Sequence, residues 1–258
     1  MGYADLREFM KRLEKEGELR RVKAEVDPVL EIVEVVQRAQ AQLGPKGTPG
    51  GTALLFERPK GSRYPLLINA FGSEHRMELA FEVDKLDDVA ARIRGFLDMQ
   101  TPQGLFDKMK MLPKLMELGS FFPKTVKDGP CKEIIRKGSD VNLFDFPILK
   151  CWPQDGGRFI TFPLVFTKSP TSGKRNVGMY RMQIYDERTT GMHWQTQKHG
   201  AEHFRRARAA SPEGRIPVSA AIGTDPATAL GGIFPLPPDL DEMMFSGFRK
   251  KEPVELVK

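Results

Sequence analysis

Three β-type runs follow one another between Cys151 and Gly200, and only a few turn-forming residues join each to the next. Phe159–Thr167 and Val177–Tyr185 flank the loop Lys168–Lys174, which holds Ser169, Pro170, Ser172 and Gly173. Thr190–Thr196 follows the short turn Asp186–Arg188. Parallel strands need a crossover of a dozen or more residues, so connections this short predict an antiparallel meander rather than a βαβ unit. The meander is rich in polar side chains. Asn176, Arg181, His193, Trp194, Gln195, Lys198 and His199 all fall within it, more chemistry than a plain sheet requires.

The chain ahead of the meander alternates between helix and strand patterns. Leu6, Phe9, Met10 and Leu13 recur at helical spacing over Tyr3–Glu16, and Gly17 is the stop signal. Leu19–Val26 alternates charged and apolar residues as a strand does. Asp27 and Pro28 read as an N-cap followed by proline at the first helical position of a helix that runs to Gly44 and Pro45. Ala53–Phe56 and Leu66–Asn69 are strand-like; Met77–Phe81, Leu86–Leu97 and Met109–Leu118 are helical. This alternation predicts a small α/β domain over residues 1–122. Phe121–Pro130 reads as a linker, and Glu133–Arg136 as the opening of a mostly β domain over 123–258. After the meander, Gly200–Ala210 reads as a helix, Ile216–Ile222 as a strand, Asp225–Leu230 as a helix with Pro226 just inside it, Met243–Phe248 as a short helix and Pro253–Val257 as a last strand. The whole is α+β.

Composition removes several function classes. The formal net charge of the 258 residues is +6, but acids and bases are interspersed, which argues against nucleic acid as a partner. Two cysteines, Cys131 and Cys151, make no disulfide framework and point to a reducing compartment. The first residues lack an apolar signal region, and position six is Leu6, where N-myristoylation would call for Ser or Thr. No apolar run reaches the length of a membrane span. The expected localisation is cytoplasmic.

The motifs GGRFIT–PLVFTK, GKRNVGMYRMQ–YD and TTGMHWQ resemble the UbiD family of reversible decarboxylases. The Leu54–Phe56 run, Phe144–Pro147 and Phe234–Glu242 fit the same family, so the likeness extends over essentially the whole chain. It implies a split β-barrel of the FMN-binding type for the second domain. It implies prenylated FMN as cofactor, tethered through Mn²⁺ (or Mg²⁺) with a monovalent cation such as K⁺ nearby. The implied reaction is non-oxidative, reversible loss of CO₂ from an aromatic or α,β-unsaturated acid. A 4-hydroxybenzoate is the expected substrate, polyprenylated if the reaction serves ubiquinone or menaquinone biosynthesis. A flavin prenyltransferase as cofactor supplier and a homo-oligomeric state come with the resemblance.

The resemblance places the metal ligands on Asn176 and Glu242, with His199 the best match for a third. An amide oxygen, a carboxylate and the flavin's phosphate oxygens form a hard oxygen site that suits Mg²⁺ or Mn²⁺ better than Zn²⁺. It places the catalytic guanidinium on Arg181, whose planar fork can orient a substrate carboxylate. Met179, Tyr180, His193, Trp194 and Gln195 match flavin-lining positions, and Lys198 with His199 stands before a helix whose N–H groups could hold phosphate. Each has a plainer reading. Asn176 could close a turn, Glu242 could sit at a helix terminus, Arg181 could be an exposed strand residue paired to Asp186 or Glu187, and Trp194 could be partly core. Asn176 and Arg181 are an odd number of positions apart, so a regular strand would send them to opposite faces. A bulge at Gly178 would reconcile them. The catalytic glutamates of the family fall beyond Lys258, so this chain is expected to be an N-terminal portion. Two other readings stay open: a non-catalytic cofactor-binding or assembly subunit, and a flavin-reductase-like split barrel using plain FMN.

Overall fold

The computed structural model describes residues 2–97, 119–234 and 241–257. The helical reading of Met109–Leu118 and residues 235–240 of the Phe234–Glu242 motif therefore lie outside the described residues.

The first unit is a three-stranded sheet clad on both faces. Strand β1 (Leu19–Val26) pairs in parallel with β2 (Ala53–Pro59), and β2 pairs antiparallel with β3 (Leu66–Ile68). Helices α1 (Leu6–Lys15), α2 (Glu31–Gln40), α3 (Glu74–Phe81) and α4 (Leu86–Leu97) accompany it. Side chains of a strand alternate between faces, and β2 uses both. Ala53 and Leu55 pack with Phe9, Leu13 and Leu79 on one side; Leu54 and Phe56 pack with Ile32, Val36 and Leu149 on the other. A strand covered on both faces reads as a continuous apolar run, as this one does.

Helix α1 begins in a reciprocal cap. The Asp5 carboxylate accepts from the Glu8 N–H at 2.9 Å, and the Glu8 carboxylate accepts from the Ala4 N–H at 2.7 Å. The expectation for α2 needs correction. Asp27 and Pro28 do not start the helix. The Asp27 carboxylate instead takes the Val29 N–H at 2.8 Å in a tight turn, and Leu30, at φ 71°, swings the chain round before Glu31. An aspartate next to a proline serves a turn as well as a cap, and local spacing does not choose between them.

The loop before β2 is pinned from inside. Arg76 and Glu18, both fully buried, pair at 2.9 Å, and the same guanidinium donates to the carbonyls of Gly51 at 2.6 Å and Gly50 at 3.0 Å. Gly51 adopts φ +59°, and a Cβ there would sit 2.0 Å from the Ala39 carbonyl oxygen. Gly51→Ala is expected to cost at least about 2 kcal/mol, since strain and overlap add. Equilibrium urea unfolding measures it, and a loss under about 0.5 kcal/mol would contradict this account of the loop.

In the second half the meander does not stay in one sheet. The expected Phe159–Thr167 strand is split into β5 (Phe159–Ile160) and β6 (Leu164–Lys168), and the expected Val177–Tyr185 strand begins earlier and is split into β7 (Arg175–Met179) and β8 (Met182–Ile184). Both breaks lie opposite each other, so the hairpin folds over as a unit. Pro163, which has no N–H to give the ladder, stands at the first break. Beyond it β5–β8 continue as a sheet with β9 (Thr190–Met192), while β6–β7 form another with β10 (Ser219–Ala221). All pairings in these two sheets are antiparallel. No closed barrel forms among the described residues.

Two further expectations fail. Phe121–Pro130 is no bare linker, because it contains strand β4 (Lys124–Val126), which pairs in parallel with β11 (Glu255–Val257) at the far end of the chain. Buried Phe121 meets Phe248 edge-on at 5.7 Å. Glu133–Arg136 forms no strand and leaves Ile134 and Ile135 70% and 63% exposed. Apolar residues alone make no strand without an edge to pair with. The remaining helices are α5 (His199–Ala210), α6 (Pro226–Gly231) and α7 (Glu242–Lys250). Asp225 caps α6 through the Thr228 N–H at 3.1 Å, with Pro226 next to it as expected.

Candidate functional site

Asn176 lies inside β7, directly across from Thr167 of β6, in an uninterrupted register. It closes no turn, and Gly178 forms no bulge, since it pairs regularly with Val165. The Asn176 side chain is buried. Its Nδ2 donates to the Tyr180 hydroxyl at 3.3 Å, and its Oδ1 lies 3.0 Å from His199 Nδ1.

Glu242 reaches the same place from the other end of the domain. Arg175 Nη2 donates to Asp241 Oδ2 at 2.5 Å, while Asp241 Oδ1 caps α7 through the Met243 N–H at 2.8 Å. That ion pair ties the start of α7 to the start of β7. The next residue, Glu242, is buried and accepts the Val177 N–H at 3.1 Å through Oε2. The carboxylate therefore stands against the peptide that follows Asn176. Burial pushes its pKa above the usual carboxylate range; the backbone N–H of Val177 opposes the shift. A buried anion of this kind is stabilised by a cation.

Asn176 and His199, 23 residues apart, thus meet side chain to side chain, and Glu242, 66 residues beyond Asn176, is bonded to the backbone N–H of the residue next to Asn176. Among the described residues no group of three His, Cys, Asp and Glu side chains gathers. A metal here would need the amide oxygen as its third protein donor. The two oxygen donors, amide and carboxylate, fit a hard cation such as Mn²⁺ or Mg²⁺, with the imidazole as a nitrogen donor beside them.

Tyr180 is a strut of the cluster. It is buried, and its hydroxyl accepts from both Asn176 Nδ2 and the Gly200 N–H, the latter at 3.2 Å. Trp194 packs between Tyr180 and Phe204, with ring centroids at 6.2 and 5.7 Å, as the partly core reading anticipates. Met179 ends β7, half-buried. His193 and Gln195 are exposed; the His193 N–H donates to the Arg181 carbonyl at 3.1 Å, and Gln195 accepts from Gln197 at 3.1 Å. Lys198 occupies the position before α5, where its side chain makes no capping bond.

Arg181 turns elsewhere. It sits in the break between β7 and β8, its Nη2 donates to Asp155 Oδ2 at 3.3 Å, and its guanidinium lies 3.8 Å from the centroid of the Phe159 ring. The expected plain partners, Asp186 and Glu187, are not the ones it takes. Asp155 also accepts the N–H groups of Cys151 and Trp152 at 3.2 and 3.1 Å, so one carboxylate fixes both a loop and the arginine. Burial pushes the Cys151 thiol pKa up, and Arg181 beside it pulls the other way. The strand breaks at Tyr180 and Arg181 instead of bulging at Gly178, and beyond the break Arg181 takes partners different from those of Asn176.

Two residues escaped the sequence reading. Thr167 Oγ1 and His203 Nδ1 are 2.9 Å apart, and both side chains are buried. The available signal was the i, i+4 spacing of His199 and His203, which puts both imidazoles on one face of a helix. Burial pushes the His203 pKa down.

Residues 124–258 match the profile described as the 3-octaprenyl-4-hydroxybenzoate carboxy-lyase Rift-related domain of UbiD, and residues 10–93 match its N-terminal domain. An uncharacterized protein of Archaeoglobus fulgidus is 50% identical over 258 residues, all of this chain and 51% of that protein. Another from Aquifex aeolicus is 45% identical over 256 residues, 99% of this chain and 51% of that protein. Among solved structures, the UbiD-class enzyme HmfF from Pelotomaculum thermopropionicum in complex with FMN superposes at a TM-score of 0.75 and 29% identity, over 98% of this chain and 50% of that one. Vanillic acid decarboxylase of Sedimentibacter hydroxybenzoicus in its closed form gives 0.79 and 28%, over 100% and 51%. The chain spans about half the length of the relatives it matches. With both domain profiles matched in order, the chain belongs to the UbiD family.

Proposed function

We propose that this chain is the flavin- and metal-binding half of a carboxy-lyase that removes CO₂, reversibly and without oxidation, from an aromatic or α,β-unsaturated acid. The single observation that supports the reading is that His199 bonds the Asn176 amide while the buried Glu242 carboxylate bonds the N–H of the next residue, Val177. Asn176 and Glu242, with His199 as the third donor, would hold Mn²⁺ or Mg²⁺ against a flavin phosphate, with K⁺ nearby. Tyr180, Met179, Trp194, His193, Gln195 and Lys198 would border the flavin, in a split barrel that the rest of the protein completes. Prenylated FMN, when bound, supplies the electron sink for decarboxylation.

The chain's own residues do three things. The buried carboxylate and amide supply a fixed hard-oxygen cradle. The Tyr180 hydroxyl keeps the Asn176 side chain oriented, so the amide oxygen faces His199. Arg181, with its side chain 41% exposed and held at one edge by Asp155, would take a substrate carboxylate without first losing rotamer freedom. The substrate class we favour is a 4-hydroxybenzoate, in a cytoplasmic homo-oligomer supplied by a flavin prenyltransferase.

The experiment is co-expression with a flavin prenyltransferase, followed by absorbance and metal analysis of the purified chain. Flavin and Mn²⁺ in equal amounts are expected; a colourless, metal-free protein would sink the reading. The half-length match favours a second reading, a cofactor-binding subunit without turnover of its own. Decarboxylation of a hydroxybenzoate by the isolated chain would exclude it.

A further inference from the structure

Helix α5 is fastened to the β6–β7 hairpin at a repeating interval. His199 meets Asn176 on β7 at 3.0 Å, and one turn later His203 meets Thr167 on β6 at 2.9 Å. Asn176 and Thr167 are themselves directly opposed across the ladder. Residues four apart on a helix are separated by about 6 Å along the axis, and paired strands lie about 4.8 Å apart. Two imidazoles at i, i+4 therefore match two adjacent strands, one each.

The contacts at the helix start do not by themselves fix its direction. His199 and Gly200 are adjacent, and their bonds to Asn176 and to the Tyr180 hydroxyl act at one point, about which a helix can tilt or roll. The bond one turn further on, the buried one among the contacts that include Trp194 on Phe204 and Arg205 on the Thr196 carbonyl at 2.6 Å, ties the helix to the strand beside Asn176. Thr167 and His203 are 1% and 8% exposed, so a lost partner there would leave a buried polar atom unsatisfied.

We propose that the Thr167–His203 hydrogen bond sets the orientation of α5 and thereby holds the His199 imidazole against Asn176, which makes Thr167 and His203 positioning residues of the site. Its consequence for metal binding rests on the cation reading above; the placement of His199 does not. Groups bonded directly to a metal ligand typically change metal affinity by about 10–100-fold when removed; Thr167 and His203 bond each other and act on His199 only through the helix, so the expected effect is at or below the low end of that range.

Thr167→Val keeps the volume and β-branch and removes the hydroxyl, whereas Thr167→Ser keeps the hydroxyl. The chain has four histidines, so ring ¹⁵N signals of the metal-free protein can be assigned with single His→Gln variants. In T167V the His199 Nδ1 resonance is expected to move toward that of a solvated imidazole, and in T167S to stay near wild type. With FMN present, Mn²⁺ affinity measured by electron paramagnetic resonance is expected to fall about 3–10-fold in T167V, the low end of what removal of a supporting bond does, and to recover in T167S. Should T167V prove too unstable, His203→Asn, which keeps a nitrogen near the Nδ1 position, is expected to behave as wild type and His203→Leu as T167V.

An unmoved His199 signal in T167V overturns the proposal. A moved signal with unchanged Mn²⁺ affinity overturns its functional half. A wild-type protein that binds no Mn²⁺ sinks the cation reading, while the ring signals still decide whether His203 positions His199.

Discussion

Arg76→Leu is expected to lower the stability of the protein by about 3–5 kcal/mol, the range for removing one partner of a buried ion pair. The cause is what remains behind. Glu18, fully buried, would keep a charge facing no guanidinium, and the carbonyls of Gly50 and Gly51 would lose their donors in the interior. Gly50 keeps a bond from Asn69 Nδ2 at 2.9 Å, so the damage should centre on Glu18 and Gly51. At roughly 2–4 °C per kcal/mol for a chain this long, the melting temperature would fall on the order of 10 °C. The double variant Arg76→Leu with Glu18→Leu removes both charges, and pairs replaced in that way are often near neutral. It should recover more than half of the loss. Equal instability of single and double variants in urea melts would show that the glycine carbonyls, and not the stranded carboxylate, dominate.

Glu242→Gln is expected to have the largest effect on the site. It keeps the shape and an oxygen for the Val177 N–H but removes the charge. If Glu242 is the ligand proposed above, Mn²⁺ retention with flavin should weaken by more than about 100-fold, since the substitution would remove a ligand rather than its support. Stability without metal should move the other way. Because burial raises the folded-state pKa of Glu242, the folded protein holds this proton more tightly than the unfolded chain. Wild-type stability therefore declines as pH rises from the ordinary carboxylate range through the raised folded value. The glutamine variant has no such slope. Metal-free melting curves should coincide near pH 4 and separate above it, with the variant the more stable; saturating Mn²⁺ should cancel or reverse the difference. A variant less stable than the metal-free wild type at pH 8 would mean that the carboxylate has a cationic protein partner there.

The boundaries of β1 match the sequence expectation at both ends, and α1, α3, α5, α6 and α7 are displaced by a few residues at most. Those segments were legible because each carries its own signal: a period, a cap, a glycine at positive φ. The second half was legible in content and not in arrangement. The residues of the meander are strand-like, but whether β5 continues into β6 depends on which sheet edge receives Phe159 and Ile160, and that edge is β8, formed more than twenty residues later. The pairing of β4 with β11 spans most of the second domain and has no local trace. Thr167 looks like any strand threonine until its opposite number and the helix above it are known.

The sequence by itself determined most local elements of the first unit and the family, because residue type and short-range order suffice for these; the start of α2 it did not. The tertiary structure alone decided that Asn176 and Glu242 stand against one peptide, through the Arg175–Asp241 pair, and that Arg181 leaves the strand for Asp155. It also decided that His203 shares a fastening with His199. Each of these is a contact between segments far apart in the chain, set by how sheets and helices pack around one another, and nothing in the spacing of neighbouring residues encodes it.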